Sequence, residues 1–249
     1  MSTTCLSCGQ PFKGNYCPNC GQKASVKRLT VSVLLKEFFH FFTHLENGFL
    51  FTTWNFIIRP GISSLNYIAG KRKEYQPPVS YFLIWTGLYI LIHNTIINHF
   101  HYELIREMVN QMNIKEQSNI LFRQHFTLFI LPVILLSALL LYYIMAKPRY
   151  NFIEILTLSL YGSGTYFMMS FFSDLILGFI FKVNVLTINV FLFQGILSSL
   201  YNFWFSFDFF RRLRLGFFWL RLIIVSILIA IGGWLIMFYL PMAWLYFTG

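Results

Sequence analysis

Long apolar segments fill the chain from Val79 onward, and they restrict its fold more than any other feature. Five of them are present, at about 79–100, 124–146, 152–181, 185–207 and 217–247. A membrane-crossing helix needs about 20 apolar residues, and backbone in lipid must satisfy its hydrogen bonds within the segment. The sequence therefore predicts an all-α polytopic membrane protein with about five transmembrane helices over residues 79–249.

The composition supports a membrane location. The chain is 57% hydrophobic, 20% aromatic and 11% charged, whereas soluble domains carry about 25% charged residues. The formal net charge is +10, but the basic residues lie mostly beside apolar segments. This arrangement favours membrane topology and contact with anionic lipids over nucleic-acid binding. The polar N-terminus has no short apolar core, so we expect no cleavable signal peptide.

All four cysteines lie near the N-terminus, in two Cys-x2-Cys-Gly knuckles separated by eight residues. They are Cys5, Cys8, Cys17 and Cys20. This spacing is typical of a closed tetrahedral zinc site in which protein ligands fill all four positions. Residues 1–22 are therefore predicted to form a structural zinc ribbon. Because so few residues cannot bury a core, the metal would supply the folding free energy.

Three other interpretations of the cysteines remain open at this stage. They are a pair of disulfides, a rubredoxin-like iron site and a redox-active Cys-x2-Cys pair. A reducing cytosolic location disfavours disulfides. The flanking sequence has no pattern of a thioredoxin-type βαβ unit, which disfavours the redox pair. Zinc is the cofactor that the pattern favours.

Residues 23–78 are predicted to lie at the membrane surface. A basic linker over residues 23–30 leads into a helical segment over 31–58, which is too polar to span and is expected to lie at the interface as an amphipathic helix. Gly48 is expected to break this helix, and Arg59-Pro60-Gly61 to end it. The basic triplet that follows is predicted to bind lipid headgroups; it consists of Lys71, Arg72 and Lys73.

The distribution of lysine and arginine predicts the topology. With the N-terminus inside, 15 of the 19 basic residues fall on the cytosolic side and 4 fall outside. Such a bias sets membrane orientation. We therefore expect a multi-pass membrane protein with a cytosolic N-terminus and an external C-terminus.

A histidine-rich group near the outer ends of the first two predicted spans is a candidate second metal or proton site. Its members are His99, His101, Glu103 and His125. The alternative is that these side chains only contact lipid headgroups. His93 and Asn94 lie deeper, where interhelical hydrogen bonding is expected.

Polar residues within the predicted third and fourth spans form a second candidate group, because intramembrane polar side chains often mark function. We single out Asp174, Gln194, Ser198 and Asn202 as a possible polar interior or pore. Lys182 is the expected partner of Asp174. Glu154, near the cytosolic end, is expected either to extend towards the interface or to pair with Arg149 or with one of Arg211, Arg212 and Arg214.

Several short segments of the first 80 residues together resemble a bacterial family of membrane proteins of unknown function, DUF3667. They are the cysteine knuckles with Gly21-Gln22, then Gly48-Phe49, Thr52-Thr53, Arg59-Pro60-Gly61, and Tyr67-Ile68-Ala69-Gly70-Lys71-Arg72-Lys73 with Tyr75 and Pro77. The resemblance implies an integral membrane protein headed by a zinc ribbon. It implies no reaction, because the family has no established one.

The sequence carries no P-loop, Gly-x-Ser-x-Gly or His-Glu-x-x-His motif. An enzyme is therefore disfavoured; a lipid-modifying one would have to use the histidines with Glu103. The favoured hypothesis is an accessory protein whose cytosolic zinc ribbon docks a protein partner, since the ribbon alone has too few basic residues for nucleic acid. The alternative is a homo-oligomeric pore, such as a defence-associated membrane effector, along the polar side chains.

Overall fold

A computed structural model describes residues 3–26, 28–41, 48–97, 126–183, 185, 188–213 and 215–248. Two short antiparallel strands, β1 (Thr3–Thr4) and β2 (Pro11–Phe12), open the chain. Thr3 pairs with Phe12 and Thr4 with Pro11. The predicted histidine-rich group, with His99, His101, Glu103 and His125, lies outside the described residues.

Within the described residues, eight α-helices follow the strands. They are α1 (Val31–Phe41), α2 (Phe49–Ile58), α3 (Pro60–Ile68), α4 (Pro78–Ile96), α5 (Phe126–Leu141), α6 (Phe152–Asp174), α7 (Ile188–Phe210) and α8 (Phe218–Thr248). Single π-helical turns extend α5 over Tyr142–Ala146 and α6 over Leu175–Ile180. A 3-10 turn, Arg211–Leu213, follows α7.

Three of the helical segments are long and apolar enough to cross a membrane: Pro78–Ile96, Phe152–Ile180 and Phe218–Ile236. They coincide with the first, third and fifth predicted spans. The second and fourth predicted spans are helical, but their described residues are too short or too polar to count as membrane-crossing helices. Ile130–Ala146 is a shorter apolar helix, and polar residues such as Asn189, Gln194 and Asn202 reduce the hydropathy of α7.

The segment between the cysteines and α4 packs into the bundle. Helix α2 begins directly after Gly48 and ends at Arg59, as predicted, but a new helix starts at once with Pro60. Proline fits the first turn of a helix because its missing N–H needs no partner there. The sequence prediction used Pro60 as a stop signal and therefore missed α3.

Aromatic side chains from α2, α3 and α6 form the centre of the core. Phe56, Tyr67 and Tyr161 are each at most 1% exposed. The Phe56 ring stacks on Tyr161 at 4.1 Å between centroids, and Tyr67 meets the same ring edge-on at 5.5 Å. Residues of α2 and α3 thus pack directly against α6 in the helical core.

Helix α3 makes a very close contact with the end of α7. The Gly61 amide donates a hydrogen bond to Asp208 Oδ2 at 2.9 Å, and Asp208 also pairs with Arg211 at 2.7 Å. A Cβ atom on Gly61 would lie 2.4 Å from the backbone of Phe209. The contact therefore requires glycine, and the Asp208 carboxylate sits at the positive N-terminal end of α3.

Helix α8 lies at the periphery with a wide apolar surface. Its exposed side chains include Trp219, Leu220, Ile223, Ile227 and Ile231. A soluble protein rarely exposes a contiguous apolar surface of this kind. This face is suited to lipid.

Candidate metal centre and its seat on the membrane domain

The two knuckles share a sequence pattern, Cys-x2-Cys-Gly-Gln, and a backbone hydrogen-bond pattern. The Cys5 amide donates to the Gln10 carbonyl at 2.9 Å, and the Cys17 amide donates to the Gln22 carbonyl at 2.8 Å. In each knuckle the glycine adopts a positive φ, +76° at Gly9 and +72° at Gly21. Glycine tolerates this conformation at little cost, which explains why it follows the second cysteine both times.

The four cysteine side chains converge on one point. All four Sγ atoms lie within 4.8 Å of one another, with 3.5 Å between Cys5 and Cys20 and 3.6 Å between Cys8 and Cys17. All four cysteines are free. Tetrahedral zinc with sulfur at about 2.3 Å requires sulfur atoms about 3.8 Å apart. The cluster therefore fits a bound metal ion, and zinc satisfies its geometry.

The surroundings of the sulfur atoms favour thiolates at some positions and oppose them at others. The Gln10 backbone N–H, followed by the Asn19 side chain, lowers the pKa of Cys8 to about 6. Desolvation, with further contributions from the neighbouring sulfur atoms, raises the pKa of Cys20 to about 12. Four thiolates cannot share this space without a cation, because their charges repel. A divalent ion at the centre removes that conflict.

Gln22 attaches the cluster to the membrane domain. Its side chain is buried, donating from Nε2 to the Gly70 carbonyl at 3.3 Å and accepting at Oε1 from the Lys73 amide at 3.0 Å. Both partners belong to the loop between α3 and α4. Amide groups bonded at both ends fix orientation as well as distance, so the cysteine module has a defined seat.

A second attachment joins the linker to the start of α6. Arg28 donates to both carboxylate oxygens of Glu154, at 2.7 and 2.9 Å. Glu154 also accepts from the Asn151 amide at 2.8 Å, and its own amide donates to the Asn151 side chain at 2.7 Å. This capping box holds the carboxylate at the helix N-terminus. Arg28 is thus the observed partner of Glu154 in place of the predicted Arg149, Arg211 and Arg212. Arg214, which was also predicted, lies outside the described residues.

The basic triplet lies in the loop that seats the module. Lys71 and Lys73 are exposed and Arg72 is half-buried, with the Arg72 guanidinium 5.4 Å from the centre of the Tyr67 ring. A Cβ on Gly21 would lie 3.5 Å from the Lys73 side chain. The triplet therefore borders the cysteine module, and its predicted contact with lipid headgroups stays a prediction.

The polar residues predicted to form one interior, Asp174, Gln194, Ser198 and Asn202, lie in two different parts of the bundle. Asp174 accepts from Gln194 Nε2 at 2.7 Å, and its other oxygen lies 2.6 Å from His93 Nδ1. All three side chains are buried. The predicted partner of Asp174 was Lys182, but Lys182 lies exposed beyond the helix end. His93 is the partner instead, which agrees with the interhelical role expected for it.

Ser198 and Asn202 lie in the second of these parts. Asn202 donates to the Ser198 carbonyl at 2.9 Å, and both residues line a cavity between α5, α6, α7 and α8. Their four-residue spacing continues the stripe that begins at Gln194. Gln194, however, turns to Asp174, so the stripe splits into a buried cluster and a cavity wall. Its predicted role in a pore stays a prediction.

Three contributors to the seat were not identified from the sequence: Gln22 as a bridge, Arg28 as the partner of Glu154, and Asp208. The sequence carries a signal for Gln22 and one for the position of Glu154. The repeated Cys-x2-Cys-Gly-Gln pattern marks Gln10 and Gln22 as equivalents that could be compared, and Asn151-x-x-Glu154 is a capping-box pattern. Arg28 lies 126 residues from Glu154, and local sequence has no signal for such a contact.

This fold and site define a class of protein: a helical membrane protein that carries a four-cysteine metal-binding module. Residues 46–90 match a family described as "Protein of unknown function (DUF3667)", so this part of the chain is similar to that family. The match covers α2, α3 and most of α4, and it confirms the resemblance seen in the sequence. The cysteines lie outside the matched residues. The chain matches none of the curated proteins and none of the solved structures.

Proposed function

We propose that the chain is an accessory protein of the bacterial inner membrane whose zinc-loaded cysteine module captures a partner protein at the cytosolic face. The observation that carries this proposal is the double attachment of the module through Gln22 and Arg28. A module that only folded on itself would not need a fixed seat on the bundle. A fixed seat presents a rigid surface, which reduces the entropy cost of binding.

The proposed topology has five crossings and a cytosolic N-terminus. The contacts of Arg28 with Glu154, and of Gly61 with Asp208, bring the linker, the start of α6 and the end of α7 to one end of the bundle. That end also carries Arg211 and Arg212. Its basic character is what the positive-inside rule requires of a cytosolic face.

The chemistry of the exposed surface indicates an acidic partner. The module and its seat expose four lysines, Lys13, Lys23, Lys71 and Lys73, which we name the basic rim. Complementary charge around an interface accelerates encounter and excludes wrong partners. The rim also lies where anionic headgroups would meet it, so membrane lipids are further proposed contacts. A partner protein with an acidic surface is the ligand that we propose.

The test is native mass spectrometry of the particle extracted from native membranes in mild detergent. We expect the wild-type chain to retain a partner protein, and Cys17→Ser to lose it while still inserting. Charge reversal in the double variant Lys13→Glu/Lys71→Glu should weaken capture about tenfold or more. Lys182→Glu, the same change at the proposed outer side, is the matched control and should have no effect.

Two results would contradict the proposal. A partner that remains bound to Cys17→Ser would show that the cysteine module is not the docking surface. A closed ring of several copies without a partner would favour the homo-oligomeric pore. In that case Asp174→Asn and Gln194→Leu should change ion flux in liposomes.

A further inference from the structure

A cavity of about 460 Å³ lies within the membrane part of the bundle, between α5, α6, α7 and α8. Its volume is in the range of small-molecule and cofactor sites, about 300–1,000 Å³. Ile196, Leu200 and Trp234 line it and are also exposed on the outside of the bundle. The cavity therefore borders the surface that faces lipid, and a lipid can reach it from the side.

The polar residues of the cavity lie mainly on one side. On α6 and α7 it is lined by Ser159, Ser163, Ser198, Asn202 and Ser206, interspersed with apolar residues such as Leu192 and Phe203. On α5 and α8 it is mostly apolar, with Ile130, Ile134, Leu141 and Ile229 among its residues. None of the described residues that line the cavity is charged. Such a cavity suits an uncharged amphiphile, because a phosphate inside it would find no counter-charge.

Ser159 provides an independent sign that a ligand belongs there. Its side chain is 8% exposed, and within the described part of the chain its hydroxyl has no hydrogen-bond partner. Burying a hydroxyl without a partner is costly. Many serines within helices bond to the preceding turn, as Ser199 does to the Gly195 carbonyl at 2.8 Å. Ser159 lines the cavity, and its buried hydroxyl still needs a hydrogen-bond partner.

With the helix ends at headgroup level, two of the serines, Ser159 and Ser206, lie at the depth expected of lipid ester groups. Ser159 lies seven residues into α6 and Ser206 four residues before the end of α7, which places them about 6–10 Å from the helix ends. From Ser206 to Leu192 the lined part of α7 extends about 20 Å. The half-thickness of the hydrocarbon core is about 15 Å, so one extended acyl chain fits this length.

We propose that the cavity binds an acylglycerol lipid from the cytosolic leaflet. Its glycerol and ester oxygen atoms accept hydrogen bonds from the serine wall, Ser159 in particular. One acyl chain lies along the apolar wall of α5 and α8. This site is separate from the cysteine module, and only its assignment to the cytosolic leaflet rests on the topology proposed above.

The test uses the full chain in liposomes with a monoacylglycerol probe that carries a photoreactive group and an alkyne in its acyl chain. We expect the probe to label peptides of α6 and α7. Gly195→Phe fills the cavity, since a Cβ at Gly195 meets nothing within 4 Å, and should lower labelling about tenfold. Ser159→Ala removes one hydrogen bond and should lower it about fivefold.

Gly87→Phe is the matched control. Gly87 is an exposed glycine of α4 whose Cβ would also meet nothing within 4 Å, and it does not line the cavity. Its labelling should equal that of the wild-type chain. Equal labelling of Gly195→Phe and Gly87→Phe would overturn the proposal, provided that both variants elute as folded protein in size-exclusion chromatography.

Competition identifies the source of the ligand. An excess of unlabelled monoacylglycerol should abolish labelling. If phosphatidylglycerol competes equally, the acylglycerol part of a membrane phospholipid is the ligand, with its phosphate outside the cavity. If neither lipid competes, no acylglycerol site exists. If Gly195→Phe instead separates a dimer in native mass spectrometry and no lipid is labelled, a second copy of the chain occupies the cavity.

Discussion

The two knuckles of the metal centre have the same sequence pattern and the same backbone hydrogen bonds, but their last residues have different surroundings. Gln10, after the first knuckle, is exposed. Gln22, after the second, is 6% exposed and bridges Gly70 and Lys73. Binding a metal requires the two knuckles to be alike, whereas positioning the module requires them to differ. The glutamine of the first knuckle thus faces solvent, whereas the glutamine of the second attaches the module to the loop between α3 and α4.

The largest effect should be the loss of bound metal when a cysteine is replaced, and it should be equal for the two knuckles. Cys5→Ser and Cys17→Ser each remove one of four metal ligands, and a module of this size depends on its metal to fold. We expect both variants to lose bound zinc, measured by elemental analysis of the purified protein. Retention of zinc by either one would show that the two knuckles are not equivalent ligands.

The next largest effect should be a loss of stability that differs between the two knuckles. Gln22→Ala leaves the Gly70 carbonyl and the Lys73 amide without their partner, which costs about 1–3 kcal/mol for buried groups. We expect faster proteolysis of the linker after Lys23 and faster hydrogen exchange at the Lys73 amide. Gln10→Ala is the matched control and should change stability by less than about 0.5 kcal/mol. Equal behaviour of the two variants would mean that Gln22 does not hold the module on its seat.

The smallest effect should be a decrease in zinc affinity, and it should again be similar for the two knuckles. Gly9→Ala and Gly21→Ala each force a side chain into the left-handed region, at a cost of about 1–2 kcal/mol. Since part of the module's folding free energy comes from the metal, zinc affinity should fall about fivefold or more in both. Competition titration with a chelator measures this. A much larger loss for Gly21→Ala would show that contact with Lys73 adds to the backbone strain.

Local patterns in the sequence were sufficient to predict the features that depend on neighbouring residues. The Cys-x2-Cys-Gly spacing predicted the converging sulfur atoms. The apolar segments predicted α4 to α8 to within a few residues, because burial in lipid depends on continuous runs of apolar residues. The same reasoning could not count the crossings, since polar residues such as Gln194 are compatible with a helix that is buried in protein.

Contacts between distant residues could not be predicted in this way. Asp174 was expected to pair with Lys182, eight residues away, because Lys182 is the basic residue nearest to it in the sequence. The fold instead brings His93 to Asp174, 81 residues away. Glu154 likewise pairs with Arg28 rather than with the basic residues closest to it on the chain. Which charges meet is decided by helix packing.

The Arg28–Glu154 ion pair also has a consequence for the order of events during synthesis. The two residues are 126 positions apart, and a ribosome adds about 5–20 residues per second. The cysteine module therefore leaves the ribosome about 6–25 s before the carboxylate that holds its linker. During that interval it can acquire its metal while still unattached, and seating follows only when α6 has been made and has entered the membrane.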